Sequence, residues 1–352
     1  MIKTINELVN NDAYVIASAS LNWGKLKGKT ILISGATGYV PQFIVHGILK
    51  RNDLFNDGIK IIALCRNRDK AKIRFSQYYG RTDFELIIQD ICDPIEYDDK
   101  IDYIIQAASP AGVIKSNENP VMTFDVNVIG SKNLLNLAKK KGSDFLFISS
   151  VDIYGKNSDG MRFVENYSGS LDSLDIRNVY SCAKRAAENL CVCYSSQGVV
   201  VKIVRPSQIM AGGVDANDGR LHIDFISQIK NGRKIVLKGD GSPLRSFIYI
   251  TDAIAGILTV MLDGEPSQAY NICSEEAEAT VLQLAQMMAS CVEGEDVEIA
   301  YNISARITDP SVKHAVSVVT ASSEKLRGLG WKPVVPLKEA CYKMMRYYGV
   351  VE

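Results

Sequence analysis

The sequence predicts an α/β protein whose core is a parallel sheet covered by helices on both faces. Three observations lead there. Short apolar runs rich in β-branched residues recur through residue 206, each too short for a helix of its own. A stretch with helical spacing follows most of them. The runs are apolar throughout rather than alternating, as strands buried on both faces are.

The elements follow in order. TILISG (30–35) is the first strand, and it runs into the glycine turn SGATGYVP (34–41). YVPQFIVHGILKR (39–51) then carries Val40, Phe43, Ile44, Gly47 and Ile48 at helical spacing. IKIIALC (59–65), FELIIQDI (84–91) and IDYIIQAAS (101–109) are the next strands. MTFDVNVIGSKNLLNLAKKKG (122–142) is a long amphipathic helix stopped by Gly142. DFLFISS (144–150) is a strand, VYSCAKRAAENLCVCYSSQG (179–198) a helix, and VVVKIVRP (199–206) a strand closed by Pro206. This alternation is that of a doubly wound parallel Rossmann sheet. Past residue 206 the rhythm loosens around glycine turns at 211–213, 239–241 and 328–330. A smaller C-terminal α/β substrate domain, set against the carboxyl ends of the strands, is expected there. The expected division is a helical N-terminal extension over 1–28, a dinucleotide-binding domain over 29–206 with a return segment near 240–260, and 207–352 mainly for substrate.

Bulk composition narrows the function. Hydrophobic residues make up 47% and charged residues 23%, and forty Lys+Arg balance forty Asp+Glu. Nothing suggests a general nucleic-acid or membrane surface, so any anion site is local. Glu7 and Asp12 interrupt the first apolar stretch, which is unlike a secretory signal. No run reaches the roughly 18 apolar residues of a membrane span. The eight cysteines include no CxxC pair, and there are three histidines. That pattern points to reduced core thiols in a cytoplasmic protein and away from zinc.

The turn at 34–41 suits a dinucleotide. Gly35 and Gly38 permit a tight turn and close approach to a pyrophosphate at a helix N-terminus. Thr37, Tyr39 and Val40 share the turn and join the expected cofactor contacts. Pro41 stands where a third glycine is usual. In a first helical turn its missing N–H costs little, although its ring can shift the helix outward or remove a donor. The next strand ends in Cys65-Arg66-Asn67-Arg68, where an NAD binder places an acid. Arg66 and Arg68 suit a 2′-phosphate, so NADP is expected over NAD. The competing reading is a pair of solvated loop arginines.

YSCAK (180–184) puts Tyr180 and Lys184 on one helix face, and Ser149-Ser150 end a strand upstream. YxxxK alone is common. Joined to a strand-end serine and a glycine turn in this order, it is specific. Further motifs are QAASPAG (106–112), DVNVIGSKNLL (125–135), SSVDIYG (149–155), Arg205-Pro206, GDGSPLRSFIYITDAI (239–254), AYNI (269–272) and LGWKP (329–333). On these the chain resembles the extended short-chain dehydrogenases/reductases, the NAD-dependent epimerase/dehydratase family, from about residue 28 to 340. Among the subfamilies it is most similar to UDP-glucuronate decarboxylases and dTDP-glucose 4,6-dehydratases.

The resemblance implies a nucleotide-sugar enzyme that moves hydride between sugar C4 and a bound nicotinamide. The 4-keto sugar so formed can be epimerised, dehydrated or decarboxylated. Tyr180 is then the acid/base, its phenol pKa lowered by Lys184 and the nicotinamide cation. Lys184 also holds the nicotinamide ribose, and Ser150 bonds the same sugar oxygen as Tyr180. Asp90, Ile91, Ala107, Ala108, Ser109 and Asn127 join the cofactor contacts, with Asn127 supporting the active-site helix or a water. Ser207, Gln208, Arg220 and Arg245 are the substrate contacts, Arg245 clamping the diphosphate. A homodimer through the helices at 122–141 and 179–197 is also implied. Bland readings compete: the serines as a strand-end cap, Arg245 as a surface charge, Asn127 as a packing group. Tyr154 reads as structural.

Besides Pro41 and Arg66, the sequence departs from the family in two further places. The dehydratases' Asp–Glu pair is replaced by Val151 and Asp152. Valine cannot protonate a leaving hydroxyl, which speaks against 4,6-dehydration. Asp152 keeps the decarboxylases' carboxylate one methylene shorter, as a base or only a hydrogen-bond partner. After Arg205-Pro206 the chain reads SQIMAGG, where the family has an aromatic, an Asn and a Tyr-Gly-Pro turn. Gln208 can replace the Asn, but the pocket wall is altered. The leading expectation is redox-neutral chemistry at C4 with a decarboxylase-like or epimerase-like outcome. The alternative is a net NADPH-dependent reductase of a nucleotide-linked keto sugar. A non-catalytic NADP-binding regulator is a third reading, opposed by the complete Ser150–Tyr180–Lys184 set.

Overall fold

The computed structural model describes residues 2–110, 118–155, 157, 160–213, 219–294, 296–302 and 318–352. The last two residues of QAASPAG lie outside them. The first strands are β1 (Thr30–Ser34), β2 (Lys60–Cys65), β3 (Phe84–Ile88), β4 (Tyr103–Gln106), β5 (Asp144–Ile148) and β6 (Val201–Pro206). Then come β7 (Gln208–Met210), β8 (Lys234–Leu237), β9 (Leu244–Tyr249) and β10 (Gln268–Ile272). Seven of these form one parallel sheet in the order β10-β6-β5-β4-β1-β2-β3. In β1, Leu32 lies opposite Ile62 on one side and Ile104 on the other, and all three are fully buried. Apolar faces on both sides are why these runs lack alternation.

Several strands end earlier than the segments expected for them. β3 stops at Ile88, β4 at Gln106 and β5 at Ile148. The residues beyond, Gln89–Ile91, Ala107–Ser109 and Ser149–Ser150, leave the sheet to line a cleft at its carboxyl edge. The seventh strand, β10, comes from the C-terminal half of the chain. The segment that returns to the sheet is therefore a helix at Ile250–Asp263 followed by β10, somewhat later than 240–260.

The helices cover both faces. They are α1 (Ile2–Ala17), α2 (Pro41–Phe55), α3 (Arg68–Phe75), α4 (Pro120–Lys141), α5 (Val179–Ser195), α6 (Leu221–Gly232) and α7 (Ile250–Asp263). Gly142 ends α4 in a left-handed conformation, its N–H bonded to the Ala138 carbonyl. That is the usual use of glycine after a helix. The C-terminal lobe adds a small sheet in which β9 pairs with β7 and with strands at Glu278–Thr280 and Val318–Val319. The Tyr39 hydroxyl ties the lobes together, donating toward the carbonyls of Ile209 (3.1 Å) and Ala211 (3.0 Å).

The N-terminal segment docks as a helix. α1 packs against α2 and α7, and Ile16 fills the notch left by Gly47, where a Cβ would run into it. The Asp12 carboxylate is buried in this contact and accepts from the Tyr249 hydroxyl at 2.9 Å. Burial raises its pKa to about 6, against the pull of Tyr249 and Lys343. An acid shifted this way costs nothing below about pH 4, where folded and unfolded carboxyls are both protonated. The cost grows between pH 4 and 6 and is complete above pH 6. Asp12→Asn is therefore expected to stabilise the protein at pH 8 by about 2 kcal/mol. The gain should vanish in thermal melts below pH 4; an equal gain at both pH values would contradict the shift.

Candidate active site

The order of the large sheet reverses between β1 and β4, and α/β folds open a crevice at such a point. Here the crevice is walled by the turn after β1 and the loop after β4. Gly35 adopts φ +61°, and a Cβ on it would lie 2.6 Å from Ala108 Cα. The Ser34 hydroxyl fixes the opposing loop by accepting from the N–H groups of Ala107 (3.0 Å) and Ala108 (3.2 Å). Pro41 is the first residue of α2 and is buried, and no side chain caps the helix at Val40. Proline at this position starts the helix without breaking it. A narrow cradle facing an uncapped helix start fits a dinucleotide phosphate group.

The cleft encloses about 1740 Å³, more than the roughly 300–1,000 Å³ that holds one small ligand. It has room for a cofactor and a substrate together. Gly35, Thr37, Gly38, Tyr39 and Val40 line it at one end. Arg66, Asp90, Ile91, Ala107, Ala108 and Ser109 line the adjoining wall. Arg66 is not alone there: its Nη1 lies 3.5 Å from Asp90 Oδ2 and 3.6 Å from Met122 Sδ. Arg68 and Asn127 are absent from the lining. Asn67 caps α3 by accepting from the Lys70 N–H, which makes exposed Arg68 the first helical residue. Asn67 and Lys70 line the cleft instead. Asn127 is fully buried behind the wall, its Nδ2 donating to the Thr123 carbonyl at 2.7 Å. Its Oδ1 has no partner among the described residues.

At the centre are the four expected catalytic residues. The Ser150 hydroxyl donates to Asp152 Oδ2 at 3.1 Å and accepts from the Asp152 N–H at the same distance. It is also in hydrogen-bond contact with the Tyr180 phenol. Its single proton goes to the carboxylate, so the protonated phenol is the donor in its own contact with the Ser150 oxygen. Asp152 faces the open cleft, so water reaches it, while protein crowds it from the other sides. That crowding raises its pKa, offset by Ser150 and by the Arg245 guanidinium.

Lys184 lines the same cleft, with its ammonium tied to the main chain. It is 2% exposed, and its ammonium donates to the Ile148 carbonyl at 2.7 Å, 5.8 Å from the Tyr180 ring centre. Burial lowers its pKa to about 7, partly offset by Glu188 and Cys191. The Tyr180 phenol is not lowered by the protein. Burial pushes it up, and the neighbouring Asp152 charge adds to the rise. Ser150 and Arg220 oppose that rise without reversing it. Lys184 is not among the groups acting most on the phenol in the protein alone.

The C-terminal lobe supplies the remaining wall. Ser207, Gln208, Arg220 and Arg245 all line it. The Arg220 guanidinium sits 4.4 Å over the Tyr39 ring. Arg245 on β9 lies close enough to Asp152 for its charge to favour the carboxylate. Tyr154, by contrast, is fully buried, accepting from Arg205 (2.8 Å) and donating to Asn271 (2.7 Å). Sequence reasoning missed several lining residues of chemical interest, among them Lys70, Arg74 and His222. A histidine inside the mostly apolar run LHIDFISQI carries no motif signal.

All eight cysteines are free thiols; Cys193 is exposed and Cys65, Cys191, Cys273, Cys291 and Cys341 are buried. Among the described residues no helix is long and apolar enough to cross a membrane.

Comparison with known proteins gives a consistent picture. The profile of the NAD dependent epimerase/dehydratase family matches residues 31–273. UDP-glucuronic acid decarboxylase 1 of Danio rerio is 31% identical over 322 residues, 91% of this chain and 73% of that protein. UDP-glucuronic acid decarboxylase 6 of Arabidopsis thaliana is 29% identical over 314 residues, 88% of this chain and 85% of its own. Among solved structures, UDP-glucuronic acid 4-epimerase from Bacillus cereus, in complex with UDP-glucuronic acid and NAD, superposes with a TM-score of 0.75 at 20% identity. That match covers 91% of this chain and 99% of the other. RMD from Pseudomonas aeruginosa, complexed with NADPH, gives 0.69 at 20% identity, covering 92% and 100%. At these identities the structural likeness is one of fold.

Proposed function

The chain belongs to the NAD-dependent epimerase/dehydratase family, and from that premise we propose that it oxidises and re-reduces a nucleotide sugar at C4, with a decarboxylase-like or epimerase-like outcome. One observation carries the reading: Ser150, Asp152, Tyr180 and Lys184 converge in the same cleft as the Gly35–Val40 turn. A bound nicotinamide supplies the hydride acceptor and donor. Gly35, Gly38 and the start of α2 would hold its phosphates, and Lys184 its ribose.

The chain's own groups handle protons and position. Tyr180 takes the proton from the C4 hydroxyl and later returns it. Ser150 orients the same oxygen. Asp152 is a carboxylate beside that pair, as a base or as a hydrogen-bond partner of the sugar. Val151 is buried and apolar, so nothing at that position protonates a leaving hydroxyl. Arg220 and Arg245 supply positive charge along the substrate wall, suited to a diphosphate or a uronate.

NADP is favoured over NAD, because Cys65 stands where an acid would repel a 2′-phosphate and Arg66 faces the cleft beside it. The same arginine supports a second reading, a net NADPH-dependent reductase of a nucleotide-linked keto sugar. A homodimer is also proposed, since Val121 and Phe124 on α4 and Val192 on α5 are exposed apolar groups on adjacent helices.

The test is incubation with UDP-, dTDP-, GDP- and CDP-sugars, including uronates and keto sugars, with NAD, NADP or NADPH present and products read by mass. We expect turnover of one nucleotide sugar with either loss of CO2 or an isomeric product, and no net change in nicotinamide absorbance. Stoichiometric consumption of NADPH would establish the reductase instead. The same preparation should sediment as a dimer; a monomer removes that part of the proposal.

A further inference from the structure

The cleft wall from the C-terminal lobe holds an imidazole with nothing to bond. His222, the second residue of α6, lines the cleft and is 1% exposed. Neither Nδ1 nor Nε2 has a hydrogen-bond partner among the described residues. A neutral imidazole carries one N–H donor and one acceptor nitrogen. Leaving both unmade inside a protein costs stability, and such groups are few in native structures. Ser207 repeats the pattern on the same lobe: buried, lining the cleft, its hydroxyl without a partner. Two orphaned polar side chains on one wall of a ligand-sized cleft are a sign of groups awaiting a ligand.

We propose that His222 is a specificity-determining contact that bonds, through one ring nitrogen as donor or acceptor, an uncharged polar group of the nucleotide sugar. This rests on the nucleotide-sugar reading above. Two observations favour an uncharged group over a phosphate. Burial and the nearby Arg220 charge pull the ring's pKa down to about 3, so the imidazole offers no charge at neutral pH. Arg220, two residues earlier on the same wall, is the group chemically suited to an anion. The uncharged group is a hydroxyl or a base edge, which present the same donor–acceptor chemistry.

The test compares wild type, His222→Leu and His222→Gln for calorimetric binding of UDP-glucuronate and UDP, and for thermal stability without ligand. His222→Leu should bind at least about tenfold more weakly, while its ligand-free melting temperature stays level or rises. Glutamine, which keeps a donor and an acceptor, should recover most of the affinity. Equal weakening for both ligands assigns the contact to the nucleoside, and weakening for UDP-glucuronate alone assigns it to a sugar hydroxyl. Unchanged affinity in His222→Leu overturns the proposal. So does a fall in ligand-free stability or a failure to fold, because the imidazole would then serve the fold. If wild type binds neither ligand, the reading of these nucleotide sugars as substrates fails first and takes this contact with it.

Discussion

Tyr180→Phe is expected to lower kcat by about a thousandfold while leaving the fold and nicotinamide binding intact. The substitution removes one oxygen and keeps the ring. That oxygen contacts Ser150, which still has Asp152 to bond at 3.1 Å, so no buried partner is stranded. The stability change should therefore stay within about 1 kcal/mol. The cradle at Gly35 and the Lys184 ammonium, bonded to the Ile148 carbonyl, are untouched by the change. The rate suffers because no other group at this position can exchange a proton with the C4 oxygen. Asp152 is near, but one of its carboxylate oxygens accepts from Ser150 at 3.1 Å, and its shorter side chain is proposed as a partner of the sugar beside the phenol, not as its replacement. The measurement is kcat beside cofactor affinity and melting temperature. A variant with full turnover would take Tyr180 out of the proposed role, and one that loses cofactor would make it a binding residue instead.

What could be read from the sequence was mostly what is local. The glycine turn, the Tyr180–Lys184 spacing and the buried strands each depend on neighbours a few residues away, and the structure holds them as elements. Strand ends were harder. Ala107 and Ala108 prolong the apolar run past β4, and Ser149 and Ser150 stay buried past β5, because the cleft floor is partly covered too, so burial does not mark where pairing stops. The rotation of a helix start was harder still. Arg66 and Arg68 look equivalent in sequence, yet the Asn67 cap fixes α3 so that Lys70, and not Arg68, reaches the cleft. The i, i+4 spacing also said that Tyr180 and Lys184 share a face, but it could not say that Ile148 claims the ammonium. β10 illustrates the non-local limit: AYNI was visible as a motif, but its place beside β6 depends on a chain that leaves the sheet and returns. His222 was hidden for a related reason. Only a folded cavity distinguishes a partnerless imidazole from a satisfied one.

Gly35→Ala should damage both stability and cofactor binding, and a second glycine separates the causes. Gly35 has φ +61°, which an L side chain adopts at a cost of about 1 kcal/mol. Its new Cβ would also lie 2.6 Å from Ala108 Cα and 3.0 Å from Ala108 N. Neither backbone can yield easily, since the Ser34 hydroxyl bonds the N–H groups of Ala107 and Ala108. The two loops that wall the crevice must then separate, and overpacking of this kind adds about 1–3 kcal/mol. Gly58 has nearly the same backbone, φ +63°, but nothing within 4 Å of its Cβ position. Gly58→Ala therefore meets the conformational cost alone. Calorimetric nicotinamide affinity should fall at least about tenfold in Gly35→Ala, the loss matching the strain at the cradle, and stay at the wild-type value in Gly58→Ala. Melting temperatures should fall in both, further in the first. Wild-type affinity in Gly35→Ala would mean that the turn after β1 is not what holds the phosphates. Equal loss in both variants would trace the effect to general destabilisation instead of to the crevice.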